Sequence, residues 1–293
     1  MSRTSLVLVA TAASALAVSA LATTMHAQPV IYSNSVTGQM AMASRPGAIG
    51  RPEIETADDF LITALTRITG GSFTGLVPSN WSPSNVVGVT LELYRVFPVS
   101  SVNPPSGHVP TRVNSPSDIA LDSRSGGGLS FTTSVLSTNF TASNSVRNGI
   151  NPVPSQITGG EGAVTGQEVR FDFTLSGGFD LLPDHYFFIA QVALTTGDFY
   201  WLSGTRPINL PGDTPFAPDL QAWIRNAALD PDWLRVGTDI VGPSNNGPAP
   251  TFNTAFTLNG TVLTPEPGTN TLLVMGLGAL VFVARRRRPV NVG

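Results

Sequence analysis

Groups able to do acid–base or metal chemistry are few in this 293-residue chain, and most are carboxylates. Cysteine is absent, which removes disulfides, thiolate metal sites and thiol nucleophiles. Between the two ends the only histidines are His108 and His185. No Gly-x-Ser-x-Gly elbow and no two-histidine zinc helix occurs. His185 follows Asp184 at the start of an apolar stretch. Neighbours on a strand point to opposite faces, so His185 is expected as a hydrogen-bonded strand-edge residue. The aspartates include Asp58, Asp59, Asp172, Asp180, Asp184, Asp198, Asp213, Asp219, Asp230, Asp232 and Asp239. A glycan hydrolase needs two carboxylates at a set separation across a cleft, and Asp180 with Asp198 is a candidate pair. Asp58 and Asp59 precede Phe60-Leu61-Ile62 and are expected to cap or leave a turn. Structural calcium is an option these acids leave open. No Asp-x-Asp-x-Asp-Gly loop occurs, and Asp230-Pro231-Asp232 is a weak substitute. No metal or other cofactor is therefore assigned.

The aromatic residues offer a second kind of chemistry. Phe199-Tyr200-Trp201, Trp223 and Trp233 fall within 35 residues. Flat rings with polar edges suit sugar faces, so Trp201, Trp223 and Trp233 are the candidate carbohydrate contacts. The competing expectation is that they fill a core. Alternation sets Phe199 and Trp201 on one face and Tyr200 on the other.

These residues must be positioned by strands. Gln167 to Leu175 alternates strictly, with Val169, Phe171, Phe173 and Leu175 on one face. Val87 to Leu93 alternates in the same way against Gly88, Thr90, Glu92 and Tyr94. Such strands belong to antiparallel sheets with one wet face. His185 to Leu194 is apolar on both faces, which predicts a central strand under a second layer. Further strands are predicted at 67–73, 129–135, 199–202, 220–225, 233–236 and 252–258. The 29 glycines and 24 prolines supply the turns. Two long loops are expected, at 98–128 (with a short helical turn at 117–121) and at 137–166. The middle of the chain, 28–262, is thus expected to be one all-β domain, an antiparallel β-sandwich or jelly roll. No periodic helix of globular length is expected within it.

The C-terminal end reads differently. Pro265-Glu266-Pro267 is followed by 17 uncharged residues, Gly268 to Ala284, and then by Arg285, Arg286, Arg287 and Arg288. As a helix the uncharged run would span roughly 25 Å, just short of a hydrocarbon core. Four arginines behind it would stay cytoplasmic and stop transfer. The two prolines keep the preceding chain extended and accessible. At the other end, Arg3, an apolar stretch from Leu6 to Leu21 and small residues up to Ala27 make a secretory signal over 1–27. Both ends place the intervening region outside the cytoplasm.

In that three-part order the tail, 263–293, resembles a PEP-CTERM sorting signal. Such tails are found on exported proteins of Gram-negative bacteria that make exopolysaccharide. The resemblance implies recognition by an exosortase, with Pro265, Glu266 and Pro267 as the sorting motif and Arg285 to Arg288 as the stop. It also implies an inner-membrane intermediate before the cell surface or extracellular matrix. The other expected partners are signal peptidase and the secretory translocon, and an exopolysaccharide is a further option. Ala57-Asp58-Asp59-Phe60 and Ile68-Thr69-Gly70-Gly71-Ser72-Phe73-Thr74-Gly75 are similar to regions that accompany such tails, and bring no known activity. Without Arg3 and the terminal arginines, 11 basic side chains face 19 acidic ones, a charge near −8. That balance argues against nucleic acid as a partner. The expectation is an exported, non-catalytic surface or matrix protein. A carbohydrate-binding module and a glycan-active hydrolase are the alternatives.

Overall fold

The computed structural model describes residues 29–99, 103–150, 153, 157–205, 219–243 and 247–263. The secretory signal and the tail from residue 264 onward, with its sorting motif, apolar segment and arginines, lie outside the described residues. Among the described residues, no helix is long and apolar enough to cross a membrane.

The architecture is all-β. Fourteen strands occur among the described residues: β1 Val30–Asn34, β2 Thr37–Ala43, β3 Ile54–Ile62, β4 Thr66–Val77, β5 Val86–Arg95, β6 Asp122–Ser125, β7 Leu129–Ala142, β8 Asn144–Val146, β9 Val164–Leu181, β10 Asp184–Leu194, β11 Tyr200–Gly204, β12 Trp223–Asn226, β13 Leu234–Arg235 and β14 Phe256–Val262. Eight of them form one sheet. Its main path runs β1-β14-β4-β11-β2-β8, and β9 pairs the other side of β4 and carries β7. The second sheet has the order β13-β12-β3-β10-β5-β6. Every pairing is antiparallel except β2 with β8.

The two sheets close over one apolar layer. The eight-stranded sheet supplies Phe73, Val169, Phe171, Phe173, Trp201, Phe256 and Leu258, and the six-stranded sheet supplies Phe60, Leu91, Leu93, Tyr186, Phe188 and Val192. Phe188 stacks on Phe256 at 5.2 Å and on Phe173 at 5.8 Å. Close strand approach needs glycine in β4: a Cβ on Gly75 would run into the Phe199 ring. The alternating strands predicted at 167–175 and 87–93 are β9 and β5, with the predicted faces inward except at Val87, which is exposed; the β5 face expected to be wet is covered at Tyr94.

β10 lies between β3 and β5 and is buried on both faces. Its outward residues Phe187 and Ile189 pack with Ala57, Tyr94, Leu220, Trp223 and Trp233. Hence the second layer predicted over this strand is present, built from β12, its flanking segments and the chain near Val96 and Ala120.

Several expectations do not hold. The segment 117–121 makes no helical turn. It runs beside β5 instead, with Ser117 N donating to Arg95 O at 2.8 Å and Leu121 N to Leu93 O at 2.7 Å, and leads into β6. The loop expected at 137–166 is partly strand, because β7 continues to Ala142 and β8 follows. Asp58 and Asp59 cap no turn. They are mid-strand in β3, paired with Phe188 and Phe187 of β10. Trp233 precedes a two-residue strand, and one helical turn follows at Val236–Val241.

Candidate functional site

β3 places Glu55, Ala57 and Asp59 on the outer face of the six-stranded sheet by simple alternation. β5 adds Glu92 and Tyr94, β10 adds His185, and β12 adds Trp223 and Arg225. This face holds two polar clusters on either side of the aromatic layer.

The first cluster centres on Arg225. Its Nε donates to Glu55 Oε2, its Nη1 to Asp230 Oδ1 at 2.9 Å, and its Nη2 to the Tyr94 hydroxyl at 3.0 Å. The guanidinium lies 4.2 Å from the centre of the Trp233 ring. The Tyr94 hydroxyl also lies 3.3 Å from Glu55 Oε1 and donates to Glu92 Oε2 at 3.1 Å. Burial pushes the Glu55 carboxyl up to about 7 against the opposing pull of Arg225. Burial raises the Tyr94 hydroxyl as well, with Glu55 adding to the shift. A pocket of about 270 Å³ opens beside this cluster, lined by Glu53, Glu55, Arg225, Asn226, Ala227 and Asp230.

The second cluster joins His185 to the aspartates. His185 Nε2 lies 2.6 Å from Asp59 Oδ2, and Leu220 N donates to Asp59 Oδ1 at 3.0 Å. Burial raises Asp59 to about 6, countered by the His185 hydrogen bond. His185 is hydrogen-bonded as expected, but it sits at the end of a central strand, not on a sheet edge. Asp58 points the other way, into the sandwich, and accepts from Thr254 N at 2.7 Å and Thr254 Oγ1 at 3.1 Å. Burial, with Asp59 beside it, holds its pKa well above the carboxylate range. A second pocket of about 240 Å³ adjoins this side, lined by residues that include Asn114, Asp219, Gln221 and Arg235. Among the described residues, Asn114 (φ 63°) and Gln221 (φ 60°) are the non-glycine residues in the left-handed region, and both lie at this pocket.

The candidate residues from sequence fall elsewhere. Trp201 is buried between the sheets, its Nε1 donating to Ala255 O at 3.0 Å. Trp223 and Trp233 are buried in the outer layer, each at 1 % exposure. None of the three presents a ring face to solvent, so the sugar platform expected of them is not built from these rings. Their apolar area is satisfied by packing instead. The pair Asp180 and Asp198 is also not a pair. Asp180 is exposed and held by Arg67 at 2.6 Å. Asp198 is bound by Arg45 and Arg51 beside the start of β11. Along β4 those places are nine residues apart, roughly 30 Å, beyond any two-carboxylate separation. Asp230 and Asp232 diverge to Arg225 and Arg112. Among the described residues no three acid or histidine side chains converge as metal ligands.

Glu55, Tyr94 and Arg225 went unread as a group because they come from three distant segments. Glu92 and Tyr94 were legible as the wet face of one strand. Alternation of Glu55, Ala57 and Asp59 was the signal that could have placed β3.

Comparison with known proteins adds the tail. Residues 263–288 match the PEP-CTERM protein-sorting motif. The chain is a PEP-CTERM protein. Such a tail makes it an exosortase substrate, exported and membrane-anchored before it is sorted to the cell surface. The PEP-CTERM match begins at Leu263, one residue beyond the end of β14. No curated protein and no solved structure significantly matches the chain.

Proposed function

We propose that this PEP-CTERM protein is a non-catalytic, cofactor-free component of the cell surface or extracellular matrix. One observation carries the reading: the buried or half-buried carboxylates of the outer sheet face are closed by their own partners. Glu55 is held by Arg225 and Asp59 by His185 and Leu220. Both pairs join β3 to a neighbouring strand of the same sheet, Glu55 to β12 and Asp59 to β10, and Asp230 and Leu220 tie the adjoining segments to them. General acid–base work needs a carboxylate within reach of a bound substrate, with its partner free to exchange protons.

The test uses protein recovered from the cell surface and the exopolysaccharide of the same cells. Reducing ends are counted over a day, alongside the intact mass. The expected result is no turnover and a mass lacking Arg285 to Arg288. Turnover abolished by Glu55→Gln would make the protein a hydrolase. A mass retaining the arginines would make the tail a plain anchor.

A second reading has one observation in its favour. Two non-glycine residues in left-handed conformations at one open polar pocket are the kind of local strain that binding sites hold. Amide, carboxylate and guanidinium groups there suit a hydroxyl-rich ligand. Asn114→Gly keeps the backbone and removes the amide. If oligosaccharide binding is present and drops about tenfold or more in this variant, the protein binds carbohydrate here.

A further inference from the structure

Among the described residues β7 pairs with β9 alone, so its other edge is open. The strand reads Leu-Ser-Phe-Thr-Thr-Ser-Val-Leu-Ser-Thr-Asn-Phe-Thr-Ala over 129–142, with no charge, no proline and no glycine. Soluble proteins blunt such edges with lysine, proline, bulges or inward-pointing charge. Here only the bulges after Val135 serve, and they leave Leu129–Val135 in unbroken register with β9. This segment is seven residues of high β-propensity, the composition that pairs most readily with itself.

The inner face of the same segment is only partly covered. Leu129, Phe131, Thr133 and Val135 sit opposite Leu175, Phe173, Phe171 and Val169, the core-facing residues of β9. Yet Phe131 is 36 % and Val135 48 % exposed, because the facing sheet ends in the short strand β6. Charge selects the occupant. Without Arg3 and the terminal arginines the chain carries a charge near −8, which sets its copies against one another by like-charge repulsion. The segment 129–135 brings no charge to such an encounter. The nearest charges on β9, Arg170 and Asp172, neutralise one another at 3.0 Å.

We infer that β7 pairs antiparallel with β7 of a second copy, joining two eight-stranded sheets across a twofold axis near Thr132. In that register Leu129 meets Val135 and Phe131 meets Thr133, apolar and aromatic–β-branched pairs of the kind that stabilise sheets. Thr132 meets its own counterpart. The inference does not depend on the matrix role proposed above.

The natural absence of cysteine makes the test direct. Thr132→Cys and, on the opposite edge strand β1, Ser33→Cys are introduced singly into the exported protein and oxidised. Sedimentation equilibrium is run on the wild type and on Phe131→Lys/Val135→Lys, whose sites are already solvent-exposed. The expected result is a wild-type dimer weakened about tenfold or more by the lysines, with cross-linking through residue 132 only. A monomer at all concentrations, a dimer indifferent to the lysines, or cross-linking through residue 33 in place of 132 overturns the inference.

Discussion

β10 and β7 are both long, uncharged over most of their length and rich in apolar side chains, yet they live in opposite environments. β10 has a strand on each side, the sandwich core on one face and the aromatic layer on the other. Among the described residues β7 has one neighbour, and only its two end residues are buried. What separates them is which other segments arrive beside them. β10 pairs with β3, more than 120 residues earlier in the chain, and with β5, some 100 residues earlier. Burial in this protein is a property of pairing, and hydrophobic content only permits it.

Substitution sharpens that contrast, and the largest effects belong to β10. Phe188→Ala should cost about 4 kcal/mol, since its ring touches Phe173, Trp201 and Phe256. Ile189→Ala, on the outward face, should cost about 3 kcal/mol if the aromatic layer is a true second core. Urea denaturation of both variants decides it: a loss under about 0.5 kcal/mol for Ile189 would mean that layer is only a lid.

Next in size is the pair that holds the layer down. Arg225→Met leaves Glu55 buried without its cation and should cost about 3 kcal/mol. Adding Glu55→Gln to the same chain should restore at least ~1 kcal/mol. A double-mutant cycle with no coupling would show that Arg225 acts through its stacking on Trp233 instead.

The pH response is smaller and has a definite sign. Glu55 titrates at about 7 and Asp59 at about 6 in the fold, both above their unfolded values. The folded state therefore holds protons that the unfolded chain has released. This contribution to stability is full below about pH 4 and is lost as pH rises through 6 and 7. Melting temperature should be higher at pH 5 than at pH 8, by something on the order of 5 °C. Glu55→Gln should flatten the profile, and a profile rising from pH 5 to 8 would contradict the burial of these acids.

The smallest effects belong to β7. Thr132→Ala or Ser134→Ala, in dilute solution, should change folding stability by no more than about 0.5 kcal/mol. A cost above 1 kcal/mol would place β7 under cover that the pairing with β9 does not provide.

The same contrast explains what the sequence could tell. Strict alternation exposed β9 and β5, and double-sided apolarity exposed β10 as a central strand. The C-terminal sorting signal was legible for the same reason: its information is local and ordered. β3 was missed because its buried aspartates look like turn residues when read singly. Asp59 and Asp58 are tolerated there through His185, Leu220 and Thr254, which lie 126, 161 and 196 positions away. The tryptophans misled in the opposite direction. A ring's type carries no record of whether another layer will cover it, and here Leu220, Tyr94 and Phe187 do. The Arg225 cluster draws on β3, β5 and β12 at once, so no window of sequence contains it.

The last strand gives the tail a mechanical footing. β14 lies between β1 and β4, antiparallel to both, and Leu263 N still donates to Leu65 O at 2.7 Å. Only Thr264 separates that bond from Pro265. A pull on the C-terminal end would therefore act along the axis of β14 and load two ladders of hydrogen bonds together, in shear, instead of peeling them one by one. Val30 pairs with Asn259 near the same end, so both ends of the domain leave it on one side. A molecule tethered there would carry drag from flow through the stiffest direction of its own sheet.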